Sequence, residues 1–261
     1  MTVDQKIGQL VQLNAIFFRD SEAEVTGPLQ KLGYDPDAIP LVGSVLNFKN
    51  ADEMIAMQKE HLEKDPNKIP QVFMMDVIHG YRTAYPLPLG LGASFDPELV
   101  TECSRMAAKE AAAGGVHVTF TPMVDYARDA RWGRVMETCG EDPLVNSIMG
   151  ATQVRAFQQE DISDPESLAT CVKHFAGYGG AEAGRDYNTV EISERLLREY
   201  YLPAYKACVD AGVKMLMPSF NSLNGVPSVA NSWLMKKVLR EEWGFEGTVI
   251  SDYNADRKSV V

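Results

Sequence analysis

The stretch Gly247-Thr248-Val249-Ile250-Ser251-Asp252-Tyr253 sets one carboxylate at the end of an apolar run. Thr248, Val249 and Ile250 are β-branched and follow a glycine, the pattern of a short buried strand. The first ionisable side chain after that run is Asp252. In a parallel α/β barrel, the C-terminal ends of the strands carry the catalytic groups. A carboxylate there can attack the anomeric carbon of a sugar, because the transition state carries oxocarbenium-like positive charge. The competing reading is that Asp252 caps the next helix.

Other segments place chemistry at comparable positions. Asp76 ends the run Val72-Phe73-Met74-Met75. It could hold two sugar hydroxyls as paired hydrogen bonds, or simply form an ion pair with a rim arginine. Arg128-Asp129-Ala130-Arg131-Trp132-Gly133-Arg134 has the charge density of a solvated run, but Gly133 allows a sharp turn that would aim Arg134 inward. Lys173-His174-Phe175 closes another apolar run, and a buried Lys beside a His demands acceptors. A core His with a rim Lys is the bland alternative. A Schiff-base Lys173 in an aldolase-like barrel is the other chemical one. The glycine-rich segment Gly177–Asn188 lacks the spacing and helix start of a phosphate cradle, so it reads as a rim loop and no nucleotide cofactor is expected. Cys103, Cys139, Cys171 and Cys208 share no metal-like spacing; free thiols and no metal are expected. Trp132, Trp233 and Trp243 read as core, whereas Tyr253, beside Asp252, is the better candidate for stacking on a second sugar.

These residues need a frame. Apolar runs suited to strands lie at 9–13, 42–48, 71–77, 116–124, 169–175, 213–220 and 248–251. Helical patterns separate them near 51–64, 97–114, 143–160, 193–211 and 231–243, and the first residues, 2–10, read as an amphipathic helix. Asp96-Pro97 and Asp142-Pro143 each place a capping Asp before a Pro suited to the first helical turn, and Ser193 is a third cap. Continuous apolar strands alternating with helices mean a parallel sheet covered on both faces. The fold class expected is α/β, a (β/α)8 TIM-barrel-like domain over residues 1–261 that is incomplete at its C-terminal end.

The chain has 25 basic and 36 acidic residues, a formal net charge of −11, which disfavours nucleic acid and anionic membrane surfaces as partners. No apolar run reaches transmembrane length, and no signal-peptide pattern opens the chain.

The segment Val238-Leu239-Arg240-Glu241-Glu242-Trp243-Gly244-Phe245-Glu246-Gly247 leading into Thr248–Asp252 resembles the nucleophile signature of glycoside hydrolase family 3. That family comprises β-glucosidases, β-xylosidases and related exo-acting enzymes. The resemblance extends to Asp76-x-x-His79-Gly80, to Trp132-Gly133-Arg134 followed by Glu137 and Gly140-Glu141-Asp142-Pro143, and to Lys173-His174. It implies that Asp252 is the nucleophile of a retaining mechanism. It also implies that Asp76, Arg134, Lys173 and His174 hold the non-reducing sugar; Met217 could line the same site. Glu141 and Asp142 are expected to be structural, through a rim ion pair and a helix cap.

The rim loop also bears on the branch of the family. The N-acetylglucosaminidase branch carries a Pro and a second His where Ala176 and Tyr178 stand, and an Asp-Ser-His where Arg185-Asp186-Tyr187 stands. The chain therefore resembles the two-domain, periplasmic-type β-glucosidase branch, whose acid/base Glu lies in a second α/β sandwich domain absent from these residues. Many relatives carry Tyr where Phe220 stands, which changes what can tune Asp252. The implied substrate is a β-linked glucoside or oligosaccharide. The alternatives are a β-xylosidase or arabinosidase and a catalytically inactive sugar-binding fragment, and these 261 residues alone are expected to be poorly active. The resemblance favours a periplasmic or secreted location, with a cytoplasmic one open.

Overall fold

A computed structural model describes residues 1–18, 36–253 and 255. The chain divides into two compact units, Met1–Met75 with Ala112–Val118, and Asp76–Ala111 with Thr119–Val261.

In the first unit, helix α1 (Val3–Gln9) starts at a reciprocal cap, with Gln5 N–H on Thr2 Oγ1 and Thr2 N–H on Gln5 Oε1. Strand β1 (Gln12–Asn14) pairs in parallel with β2 (Ser44–Leu46). Helix α2 (Ala51–Lys64), capped by the Asn50 side chain, crosses over from β2 to its other parallel partner, β3 (Val72–Met75). Residues 112–118 complete the unit, with His117 N–H donating to the Phe73 carbonyl at 2.8 Å. Phe48 and Phe73 meet edge to face at 5.3 Å in its core.

The second unit opens at Asp76 and continues through α3 (Pro88–Ser94) and α4 (Pro97–Ala113). Asp96 Oδ1 accepts from the N–H groups of Glu98 and Leu99, as its position before Pro97 led one to expect. After β4 (Val118–Thr119), residues 121–124 run beside β5 (Ala169–Phe175), tied by Cys171 N–H to Thr121 O and Val124 N–H to Lys173 O. Between them lies α5 (Pro143–Gln158), capped by Asp142 through Leu144 and Val145 N–H. Ser193 caps α6 (Glu194–Leu196), which passes through a wide turn at Leu197–Tyr201 into α7 (Pro203–Asp210). Strand β6 (Met215–Pro218) pairs in parallel with β5.

A two-residue hairpin follows, β7 (Ser222–Leu223) and β8 (Val226–Pro227), turning through Asn224 and Gly225 at φ 49° and 79°. Asn-Gly is the pair that tolerates positive φ at both turn positions. Helix α8 (Trp233–Glu242), ending with an i→i−5 bond from Trp243 N–H to Val238 O, leads to β9 (Thr248–Val249) beside β6. The core of this unit gathers Val154, Val172, Phe175, Leu216, Leu234, Val238 and Leu239.

The structure bears out the α/β class. Strands β1, β2 and β3 pair in parallel in chain order, as do β5, β6 and β9, and α2, α6–α7 and α8 supply helical connections between neighbours, the connectivity of a (β/α) barrel. Three departures from the sequence pattern have local causes. The first strand begins at Gln12 because α1 takes the chain as far as Gln9. The run 116–124 makes a regular ladder only at Val118–Thr119, since Pro122 has no N–H to contribute. Helix α3 lies in a Pro- and Gly-rich stretch that does not look helical. A Cβ on its Gly92 would come within 2.4 Å of the Cys139 carbonyl, so only glycine lets it pack there.

Candidate active site

The site grows from a break in β5. Lys173 lies opposite Met217 and Phe175 opposite Pro218, so the register shifts by one residue and His174 is extra. Such a bulge re-aims a side chain and releases its backbone groups from the ladder. Both released groups find partners. The His174 N–H donates to Asp125 Oδ2 at 3.1 Å, and the hydroxyl of Tyr205, from α7, lies 2.7 Å from the His174 carbonyl. The same carboxyl holds the ring, with Asp125 Oδ2 2.8 Å from His174 Nδ1, and its Oδ1 lies 2.8 Å from the Tyr205 hydroxyl. The ring is flanked by Tyr178 at 5.2 Å and Phe220 at 6.4 Å. Phe220 therefore packs; it also meets Tyr178 and Tyr187.

The other ring nitrogen, His174 Nε2, is 3.5 Å from Asp252 Oδ2. Asp252 stands just past β9, where Ile250 N–H still donates to Leu216 O. Its Oδ1 accepts from the N–H of Tyr253, whereas Oδ2 is buried without a hydrogen-bond partner. Among the described residues the side chain makes no cap further along the chain. Burial pushes the Asp252 carboxyl up to about 6, against the pull of the Tyr253 N–H and of the Lys173 and Arg134 charges. His174 is driven well below the usual imidazole value by burial and by the Arg134 and Lys173 cations, so its ring is neutral. Burial also raises Asp125 to about 7, against its bonds to Tyr205 and His174 and the Arg134 and Lys173 charges.

Lys173 is 5% exposed and donates to Asp76 Oδ1, whose carboxylate is half exposed. Met217, buried on β6, sits in register with Lys173 and so shares its face. Arg134 donates from Nε and Nη2 to the two oxygens of Glu137, at 2.6 and 2.8 Å, and lies 5.5 Å from the centre of the Tyr178 ring. The rim ion pair expected of Glu141 is thus made by Glu137, while Glu141 is exposed. Gly133 does not aim the arginine: its φ is not positive and an added Cβ would touch nothing within 4 Å. Trp132 does so. It is 1% exposed, its indole N–H donates to Asp186, and a short 3-10 turn at Val135–Glu137 follows.

Contacts join Asp76 to Lys173, His174 to Asp252 and, through the Tyr178 ring, His174 to Arg134; Lys173 adjoins His174 in the chain and its charge acts on Asp252, which Tyr253 follows with its side chain largely exposed. Asp125 ends an apolar run just as Asp252 does and is recognisable in sequence as a strand-end carboxylate, but that signal by itself assigns it no role. Tyr205 and Tyr178 carried no such signal; one is inside a helix and the other inside a glycine-rich loop.

Known proteins share both the sequence and the fold. The chain is 43% identical over 260 residues to a periplasmic β-glucosidase of Salmonella typhimurium, an alignment covering 100% of this chain and 33% of that protein. A β-xylosidase of Formosa agariphila is 36% identical over 239 residues, covering 86% and 33%. A crystal structure of a β-glucosidase from Listeria innocua in complex with glucose superposes with a TM-score of 0.95 at 47% identity, covering 100% of this chain and 37% of that one. The chain spans about a third of the length of these relatives. The profile described as "Glycosyl hydrolase family 3 N terminal domain" matches residues 2–259. With its α/β fold and its strand-end carboxylates, the chain belongs to glycosyl hydrolase family 3 and carries the N-terminal domain of that family.

Proposed function

We propose that the protein to which this chain contributes is a retaining, exo-acting β-glucosidase with Asp252 as its nucleophile. One observation carries the reading: a largely buried strand-end carboxylate whose Oδ2 has no hydrogen-bond partner and on which two cationic side chains act. In this mechanism Asp252 Oδ2 attacks the anomeric carbon and the aglycone leaves, giving a glycosyl-enzyme that water then hydrolyses. Asp76 and Lys173 offer an acceptor and a donor to adjacent hydroxyls of the terminal sugar. Arg134 and the neutral His174 ring contribute further polar contacts, Met217 an apolar wall, and Tyr253 a face for a second sugar.

The acid/base is a different matter. A retaining pair stands roughly 5–5.5 Å apart. The carboxylates nearest to the site are already committed: Asp76 to Lys173, Glu137 to Arg134 and Asp125 to His174 and Tyr205. The acid/base is therefore assigned to a further domain of the full-length protein, in keeping with the greater length of the relatives. A periplasmic or secreted location fits the relative from Salmonella typhimurium.

Incubating the full-length protein with a 2-deoxy-2-fluoro-β-glucoside should trap a covalent adduct on the peptide containing Asp252. Labelling elsewhere would overturn the assignment. The Formosa agariphila relative favours a second reading, a β-xylosidase, and the ratio of kcat/KM on aryl β-glucoside and β-xyloside decides between the two.

Two further results are expected. Since the nucleophile must be ionised, kcat/KM should fall as the pH drops through about 6, the value to which burial raises Asp252; an acid limb below 4 would contradict this. Tyr253 is 60% exposed, so Tyr253→Ala should leave the melting temperature within about a degree or two. The same variant should raise KM for disaccharides several-fold more than for aryl glucosides.

A further inference from the structure

The contacts behind His174 contain a proton-counting problem. The Tyr205 hydroxyl carries one hydrogen, yet it lies 2.8 Å from Asp125 Oδ1 and 2.7 Å from the His174 carbonyl. The carbonyl can only accept, so the hydroxyl hydrogen points there. The 2.8 Å contact to Oδ1 then needs a second hydrogen, and Asp125 is the remaining group able to carry it. On its other oxygen, Asp125 faces the His174 backbone N–H at 3.1 Å and Nδ1 at 2.8 Å. A neutral acid satisfies every one of these contacts. Its Oδ1–H donates to the Tyr205 oxygen, and its Oδ2 accepts from the backbone N–H and from Nδ1–H.

We propose that Asp125 acts as a neutral carboxylic acid which, with Tyr205, holds His174 in its Nδ1–H form, so that Nε2 presents a lone pair beside Asp252 as acceptor for a substrate hydroxyl. Asp125 is a positioning residue in this scheme, since it reaches the substrate through His174. Its carboxyl is 1% exposed; Tyr205 from α7 and His174 from β5 touch it, and the charges of Lys173 and of Arg134, in the loop before α5, act on it. Burial favours the protonated form there, against the two cations. A bare Nε2 also explains why it stands 3.5 Å from Asp252 Oδ2 rather than in a tight bond: two acceptors face each other until a sugar hydroxyl comes between them.

The proposal deepens the glycosidase reading and rests on it for the identity of the substrate, but not for the state of Asp125. In the full-length protein, Asp125→Asn preserves the donor and acceptor pattern of the neutral acid, with its NH2 on Tyr205 and its C=O on His174. Asp125→Leu removes both. The Leu variant should lose about 10- to 100-fold in kcat/KM, as expected for stranding buried polar groups. The Asn variant should recover most of that loss, with its acid limb unchanged. An Asn variant as impaired as Leu means the charge is required and overturns the proposal, as does a Leu variant as active as the wild type. Should Leu fail to fold, the infrared difference between wild type and Asp125→Asn at pH 6 decides. A neutral carboxyl C=O band present in the wild type alone supports the proposal; a carboxylate band in its place overturns it. That band does not depend on turnover, so it separates failure here from failure of the glycosidase reading.

Discussion

Asp252→Asn in the full-length protein should lose turnover by on the order of 10³-fold or more while making the fold more stable above pH 6. The loss follows from the proposed role as nucleophile: an amide oxygen is too weak a nucleophile to form the glycosyl ester. The gain follows from the environment. The folded carboxyl titrates at about 6. In an unfolded chain it titrates near ~3.9. A carboxyl with a raised folded value stabilises the fold relative to the charged state only while it is protonated, and that stabilisation is lost as the pH rises through about 6. At neutral pH the largely buried charge therefore burdens the wild type by about 3 kcal/mol, which Asn avoids. Asn also keeps an oxygen for the Tyr253 N–H. Melting curves should show the variant ahead at pH 7 and level with the wild type near pH 4. A variant less stable at both values would show that Asp252 is held by contacts worth more than its desolvation costs.

Lys173→Met is expected to be the next largest loss. Methionine matches the length of the aliphatic stem, and Asp76 is half exposed, so water can take over the carboxylate and the fold should survive. What disappears is a charge-assisted bond to Asp76 and one of the two cations that favour ionised Asp252. A bond of that kind contributes about 1.5–3 kcal/mol, or about 10- to 100-fold in kcat/KM. The acid limb should also move to higher pH, because Asp252 loses a neighbour that lowers its value. A drop in kcat/KM with the limb unmoved would confine Lys173 to sugar binding. A variant with wild-type kcat/KM would remove it from the site.

Much of this molecule is local and was therefore readable from residue order. Asp96, Asp142 and Ser193 cap helices because a short polar side chain bonds to N–H groups two or three residues on, whatever the distant chain does. The parallel strands declared themselves as unbroken apolar runs between helical ones. Asp76, Lys173-His174 and Asp252 stood out because an ionisable side chain ending such a run has few positions other than the rim.

The tertiary structure decided the rest, through contacts between residues far apart in sequence. Glu137 rather than Glu141 pairs with Arg134, since the turn after Trp132 is set by the burial of that indole against Tyr178 and its bond to Asp186. The bulge at His174 depends on the register against β6, which no feature of Lys173-His174-Phe175 announces. Asp125 and Tyr205 are 80 positions apart and meet only because α7 packs behind β5. Sequence by itself determined which side chains could do chemistry, since residue type and strand ends are local properties. Only the folded chain decided their protonation and partners, because burial and through-space charge depend on everything packed around them.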